Sequence, residues 1–187
     1  MARRFGDRTA EMLGRLTVNP LKHIDPLGTV VVPLLMAWLG GFIFGWAKPV
    51  PVNPRNLRNP KKSMIAVAAA GPAANLLMAL AWALLLRVLL LGGTAVETNF
   101  GFFVEMARIG VFFNVLLAVF NLFPIPPLDG GRVLRGLVPE SIGNRLDAVE
   151  PFGLIILVAL LALGLLGPIL WPLIRVAQDV VFAIVGL

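Results

Sequence analysis

Apolar and polar positions in this chain are segregated into long blocks rather than alternated. Apolar runs cover residues 27–47, 64–91, 102–123 and 152–174, and between them lie the polar stretches 1–26, 48–63, 92–101 and 124–150. A helix rises about 1.5 Å per residue, so about 20 apolar residues cross the hydrocarbon of a bilayer. On that ground 64–91, 102–123 and 152–174 are predicted to span. Arg87 interrupts the first of these near its end, where a long cationic side chain can snorkel to the headgroups. Glu105 and Arg108 are confined to the start of the second. Run 27–47 is long enough to span but contains Pro33 and the pair Gly40-Gly41. The proline spacing in 48–63, KPVPVNPRNLRNPKKS, forbids a helix and predicts an extended or looped path. The tail from Arg175 to Leu187 is weakly amphipathic and receives no assignment. The pattern predicts an all-α polytopic membrane protein with three to four membrane segments, a re-entrant hairpin and short extended interfacial segments. A single domain over 1–187 is expected, because each helix needs the others to cover its polar positions.

Charge decides how the first run is read. The polar stretch before it carries Arg3, Arg4, Arg8, Arg15 and Lys22, and the one after it carries Lys48, Arg55, Arg58, Lys61 and Lys62. A simple span would put these two equally basic stretches on opposite sides of the membrane. A re-entrant hairpin turning near Gly40-Gly41 keeps both in the cytoplasm, with 1–26 as an interfacial segment, and is the favoured alternative. Stretch 92–101 has no basic residue and is expected outside, while 124–150, with Arg132, Arg135 and Arg145, is expected inside. Non-helical backbone at membrane depth is tolerated only where protein or a water-filled cavity covers it, so a hairpin implies a cavity.

Composition narrows the classes further. Hydrophobic residues make up 58% of the 187 and the mean hydropathy is +0.89, above the 45–50% apolar content usual for a soluble domain. The net charge of +6 does not point to nucleic acid, because the basic residues flank apolar runs. There is no cysteine and one histidine, His23, so disulfides and thiolate metal sites are excluded.

Four sets of residues could carry chemistry. Asp129 follows an apolar run and the stiff segment Pro124-Ile125-Pro126-Pro127, and is followed by Gly130, Gly131 and Arg132. It reads either as ordinary turn chemistry or as an anionic ligand fixed at the cytoplasmic edge of the membrane, where carboxylates are costly and carry a partner. Asn114 and Asn121 are seven residues apart and share a helical face, and Asn75 lies in AAAGPAANLLMAL. These amides either hydrogen-bond between helices or line a polar cavity and hold an extended peptide by its backbone. Gly71 and Pro72, within the same run as Asn75, predict a kink. His23, beside Asp25, reads as an interfacial structural residue, since one histidine and one aspartate fall short of the three protein ligands of a catalytic zinc.

The segments GDRTAEMLGRLTVNPLKHIDPLGT, FGWAKPVPVNPRNLRNPKK, AAAGPAANLLMAL and NLFPIPPLDGGRVL occur in that order. Together they resemble a short bacterial branch of the site-2 protease family of intramembrane zinc metalloproteases, over roughly residues 6–140. The resemblance implies a cell-membrane protein that cleaves peptide bonds of membrane-protein or transmembrane-peptide substrates within the lipid bilayer. It implies zinc as cofactor, with Asp129 as the third zinc ligand. It places Asn75 and Asn121 near bound substrate, with Asn114 joined to them by its shared face. Gly71, Pro72, Pro126, Pro127, Gly130 and Gly131 are left in structural roles.

The chain departs from the family pattern in one respect. The family carries H-E-x-x-H, two histidine ligands and a glutamate base, on a membrane helix just before the Gly-Asp-x-Thr-Ala segment. No H-E-x-x-H occurs in this sequence. The expectation is a chain that has lost its first part, through a start assigned at an internal methionine or a truncated gene. Two other functions stay open: a non-catalytic membrane protein that binds transmembrane segments, and a small transporter subunit, the latter weakened by the absence of an internal repeat.

Overall fold

A computed structural model describes residues 1–17, 19–38, 45, 48 and 50–187, with the side chains of Pro20, Pro54 and 94–98 set aside. The re-entrant turn expected at Gly40-Gly41 lies outside the described residues. The chain, expected as one domain, divides into two compact units, Met1–Ser63 and Met64–Leu187. Among the described residues every regular element is helical.

The first unit is built from short turns. The single-turn helix α1 (Thr9–Met12) follows Asp7, and a second helix, α2 (Val32–Trp38), continues a wide π-helical turn over Pro26–Val31. Asp25 starts that turn: its Oδ1 accepts from the amides of Leu27 and Gly28, both at 3.0 Å. Orphan amides at a helix start need such a partner. Residues 50–53 have no regular structure and are followed by a short 3-10 turn, Pro54–Asn56, in keeping with the looped path that the prolines predict, but the path expected to 63 ends at Pro60, which starts a helix where its missing amide costs nothing.

The second unit is a bundle of long apolar helices. Helix α3 (Pro60–Leu90) starts in the last residues of the first unit and is followed by α4 (Gly93–Asn121), α5 (Asp129–Leu137), α6 (Glu140–Val149), α7 (Gly153–Ala162) and α8 (Gly167–Val185). Three are long and apolar enough to cross a membrane: Pro60–Leu90, Asn99–Asn121 and Gly167–Val185. α4 bends at Phe100, which leaves helical dihedrals at φ −127° and ψ 22°.

The span expected over 152–174 does not form as one helix. α7 ends in a left-handed glycine, Gly164 (φ 69°). The amide of Leu163 donates to Ala159, that of Gly164 to Leu161 and that of Leu165 to Leu160, at 2.9–3.0 Å. These bonds satisfy the last carbonyls of α7, as a glycine-terminated helix end does. The chain restarts as a helix at Gly167-Pro168, where proline lacks only an amide that would be an orphan anyway. Ten residues of α7 reach about 15 Å, half the hydrocarbon thickness. The third crossing helix is therefore displaced toward the C-terminus, and the tail left unassigned from Arg175 is its second half.

Lipid is as apolar as leucine, so helices in a membrane associate through close packing at small residues. Ala79 and Ala83 of α3 and Val111 and Val115 of α4 are fully buried, and Leu166, just before α8, with Leu170 and Ile174 of α8 closes the same core; Ala107 of α4 is buried in a second cluster with Leu86 and Val104. Gly110 of α4 is where Trp82 of α3 fits: a Cβ there would lie 2.6 Å from the indole Cγ. Phe112 of α4 stacks on Trp171 of α8, with ring centroids 6.1 Å apart.

Candidate functional site

The site grows out of the turn between α4 and α5. After Asn121 the chain passes through Leu122, Phe123 and the proline segment, whose Pro126–Pro127 bond is cis. The amide of Ile125 donates to Phe123 (2.8 Å), that of Leu128 to Ile125 (3.0 Å) and that of Gly131 to Leu128 (3.0 Å). The segment then folds back over the start of α5 at van der Waals contact. A Cβ at Gly130 would run into the carbonyl groups of Leu122 and Phe123, and one at Gly131 would lie 2.6 Å from the nitrogen of Pro126. Gly153, at the start of α7, meets the carbonyl of Pro126 in the same way. Three backbones crowd one turn, and the chain has glycine at each approach.

Asp129 is held in that turn as the first residue of α5, half-buried. Its carboxylate is set against α3: a Cβ at Gly71 would lie 3.1 Å from Oδ2. Burial pushes its pKa up, and the Arg132 guanidinium opposes that shift. Asn75, one helical turn beyond Gly71, shares that face of α3. It is partly buried and makes no hydrogen bond among the described residues. Pro72 is fully buried, and α3 continues through it rather than ending there.

The two asparagines of α4 satisfy themselves locally. Asn114 Nδ2 donates to the carbonyl of Gly110 at 2.8 Å, and Asn121 Nδ2 to that of Leu117 at 2.9 Å. This back-bonding within one helix replaces the interhelical bonds that sequence alone suggested, and it uses the amide NH2 rather than the carbonyl oxygen. The structure thus brings together Asp129, Gly71 and the Asn75 face. It places Asn121 at the entrance of the turn that covers Gly130. Asn114 sits two turns up α4, about 10 Å away.

Arg132 and Arg135 are committed to carboxylates of this region. Arg132 pairs with Glu150 at 3.7 Å. Arg135 spans α5 and α6, its Nε donating to both carboxylate oxygens of Asp147 at 3.0 Å and its Nη2 to Glu140 at 2.9 Å. Among the described residues no three His, Cys, Asp or Glu side chains come together as a metal site. His23 Nε2 donates to the Thr17 carbonyl at 3.1 Å. The residues present therefore do not by themselves fit a zinc ion: Asp129 is a single donor.

Asp7, not singled out from sequence, is the most committed carboxylate in the chain. Only 2% of it is exposed. It accepts from the amide and hydroxyl of Thr9, from the amide of Asn53 at 2.8 Å and from Asn56 Nδ2 at 3.2 Å. Those bonds, that of the Thr9 hydroxyl foremost, hold its pKa down to about 2. The signal was Gly6-Asp7-x-Thr9, an aspartate that can accept from an amide two residues on.

Fold and site define a multi-pass, all-helical membrane protein of bacteria with a carboxylate clamped at the end of a membrane helix. Residues 93–164 match the family model of peptidase family M50. The chain is 37% identical over 180 residues to "Putative zinc metalloprotease YwhC" of Bacillus subtilis, covering 96% of this chain and 79% of that one. It is 36% identical over 162 residues to the similarly described Rip2 of Mycolicibacterium smegmatis (84% of this chain, 58% of that one). Rip2 of Mycobacterium tuberculosis H37Rv is 29% identical over 159 residues, with 84% and 57% covered. The chain thus spans most of the Bacillus relative and a little over half of each mycobacterial one. No solved structure matches it. The chain belongs to peptidase family M50, the site-2 protease family, and through that membership to the metallopeptidases.

Proposed function

We propose that these residues form the substrate-holding part of an intramembrane zinc metalloprotease that hydrolyses peptide bonds of membrane proteins, and that Asp129 is their contribution to the metal. One observation carries the reading: the carboxylate is fixed against Gly71 by a turn that admits no side chain at Gly130 or Gly131. A metal ligand must be held in place by its surroundings, and the backbone that carries this carboxylate is clamped at Gly130 and Gly131. Asn75, uncommitted on the same face of α3, is suited to hydrogen-bond the backbone of an extended peptide drawn alongside. Asn121 and Asn114 of α4 spend only their amide NH2 groups within their own helix and keep their amide oxygens for the same use.

Zinc in catalytic sites takes three protein ligands. Asp129 supplies one, so the remaining ligands and the proton-accepting base have to come from residues other than these. The test uses a chain that carries these residues together with an H-E-x-x-H helix. Asp129→Ala is expected to lose bound zinc by elemental analysis and to lose cleavage of a reconstituted membrane substrate, while still inserting in the membrane. Unchanged zinc content would refute the ligand role. The lack of a three-donor group among the described residues favours a second reading, a membrane protein that binds transmembrane segments without cutting them. In that case the Asp129→Ala protein captures a transmembrane peptide as well as the parent does, and neither holds zinc.

A further inference from the structure

The second unit holds an open, surface-facing cavity that the site above does not use. It measures about 380 Å³ and is lined by Leu86 and Leu90 of α3, Arg108 of α4, and Asp179, Phe182 and Leu187 at the end of α8. Its size is in the range of small-ligand sites. Two opposite charges share it with an apolar wall, and both come from helices long and apolar enough to cross a bilayer. Arg108 is nine residues into the Asn99–Asn121 span and Asp179 is six residues short of Val185, where α8 ends. At 1.5 Å per residue Arg108 lies about 13 Å, and Asp179 about 9 Å, from its helix end. The end of α8 lies beside the end of α3, where Arg87 donates to the carbonyl of Gly186.

A charge on a membrane-crossing helix calls for a partner. Among the described residues Arg108 has only a loose one, Glu105 on its own helix at 3.6 Å, and both side chains are half or more exposed. Asp179 has neither ion pair nor hydrogen bond among the described residues. A lone anion would satisfy the guanidinium and leave the carboxylate bare; a lone cation would do the reverse. A ligand that carries both charges a few bonds apart meets both demands, and one with apolar chains also covers Leu86, Leu90 and Phe182.

We infer that this cavity binds an amine-bearing zwitterionic phospholipid from the bilayer, its phosphate on Arg108 and its primary ammonium on Asp179. Hydrogen bonding by Asp179 to the ammonium distinguishes a primary amine from a quaternary one, whose nitrogen has no proton to donate. Arg108 reads the phosphate, which all phospholipids share, by a charge-assisted bond. The occupant is set by these residues and not by Asp129, so the inference stands apart from the protease reading.

The test is lipid retention by the full chain, purified in detergent, stripped of lipid and offered phosphatidylethanolamine, phosphatidylcholine or phosphatidylglycerol before native mass spectrometry. The parent is expected to retain phosphatidylethanolamine several-fold over the other two. Asp179→Asn abolishes that preference, Asp179→Glu keeps it, and Arg108→Gln lowers retention of all three. Arg145→Gln, on α6 and away from the cavity, changes nothing. Equal retention of the three lipids by the parent overturns the inference, as does a preference that survives Asp179→Asn. Full displacement of the lipid by soluble phosphoethanolamine would show that the apolar wall plays no part, and would overturn the lipid assignment. So would a dimer that dissociates in Asp179→Asn without any change in bound lipid, which would assign the charges to a second copy of the chain.

Discussion

The two units solve the problem of holding a fold together in opposite ways. Met1–Ser63 carries ten basic and three acidic residues, whereas Met64–Leu187 carries six basic and seven acidic. The whole positive excess of the chain therefore lies in the first unit, the expected cytoplasmic face. That unit is knotted by polar bonds that converge on Asp7. The second is closed by alanines, glycines and aromatic rings at van der Waals distance. The difference teaches where each unit is fragile. A polar knot fails when one group changes its protonation or its hydrogen-bonding pattern. Close apolar packing fails when a single methyl group is added.

The sharpest way to break the comparison is at Gly130. Gly130→Val drives a branched side chain into the backbone carbonyls of Leu122 and Phe123. Backbone cannot move aside as a side chain can, so a loss of about 3 kcal/mol or more is expected, seen as a large drop in the unfolding temperature in detergent. An intermediate effect is expected at Gly110. Gly110→Leu collides with the Trp82 ring, which has some freedom to turn, so a loss of about 1–3 kcal/mol is expected. Trp82→Ala should recover part of it, and a double-mutant cycle measures that coupling. If the two changes prove additive, α3 and α4 are not packed through this pair.

The mildest perturbation is acid, which should act on the first unit through Asp7. The pKa of Asp7 is depressed in the folded chain, to about 2 from 3.8. The unfolded chain therefore binds a proton first as pH falls. The stabilisation is fully present above about pH 4 and is lost on the way down to about pH 2. Pepsin should cut the first unit progressively faster across that window in the parent, and faster but without that pH step in Asp7→Asn. A parent digestion rate that is flat between pH 4 and pH 2 would remove Asp7 from the centre of the unit.

Much of this was legible from the sequence, and what was missed has a physical reason. Hydropathy located α3 and α4 because a crossing helix needs an uninterrupted apolar run, and those two runs have one. It misplaced the third crossing helix because it cannot tell where within a long apolar stretch the backbone breaks. Gly164 and Gly167-Pro168 were the readable signal, a helix stop and a helix start three residues apart. The glycines around Asp129 were readable as a turn, but their role is a close approach of residues distant in sequence, such as Gly153 and Pro126. No local pattern encodes that. For the asparagines, sequence could say that an amide in hydrocarbon needs a partner; it could not say that Asn114 and Asn121 find it four residues back. The family pattern supplied the metal assignment of Asp129, and it also exposed the mismatch, since one donor is not a zinc site.

The knot at Asp7 has a consequence in polymer terms. Asp7 bonds to Asn53 and Asn56, 46 and 49 positions further along, while the amide of Arg58 donates to the Phe5 carbonyl at 3.0 Å. The contour between them, which includes the apolar run 27–47, is thereby a closed loop with both ends anchored. Closing a loop of that length removes chain entropy whatever the cross-link is made of. In a protein without a single cysteine, a fully coordinated carboxylate takes the place of a disulfide, and it is one that acid, rather than a reductant, would open.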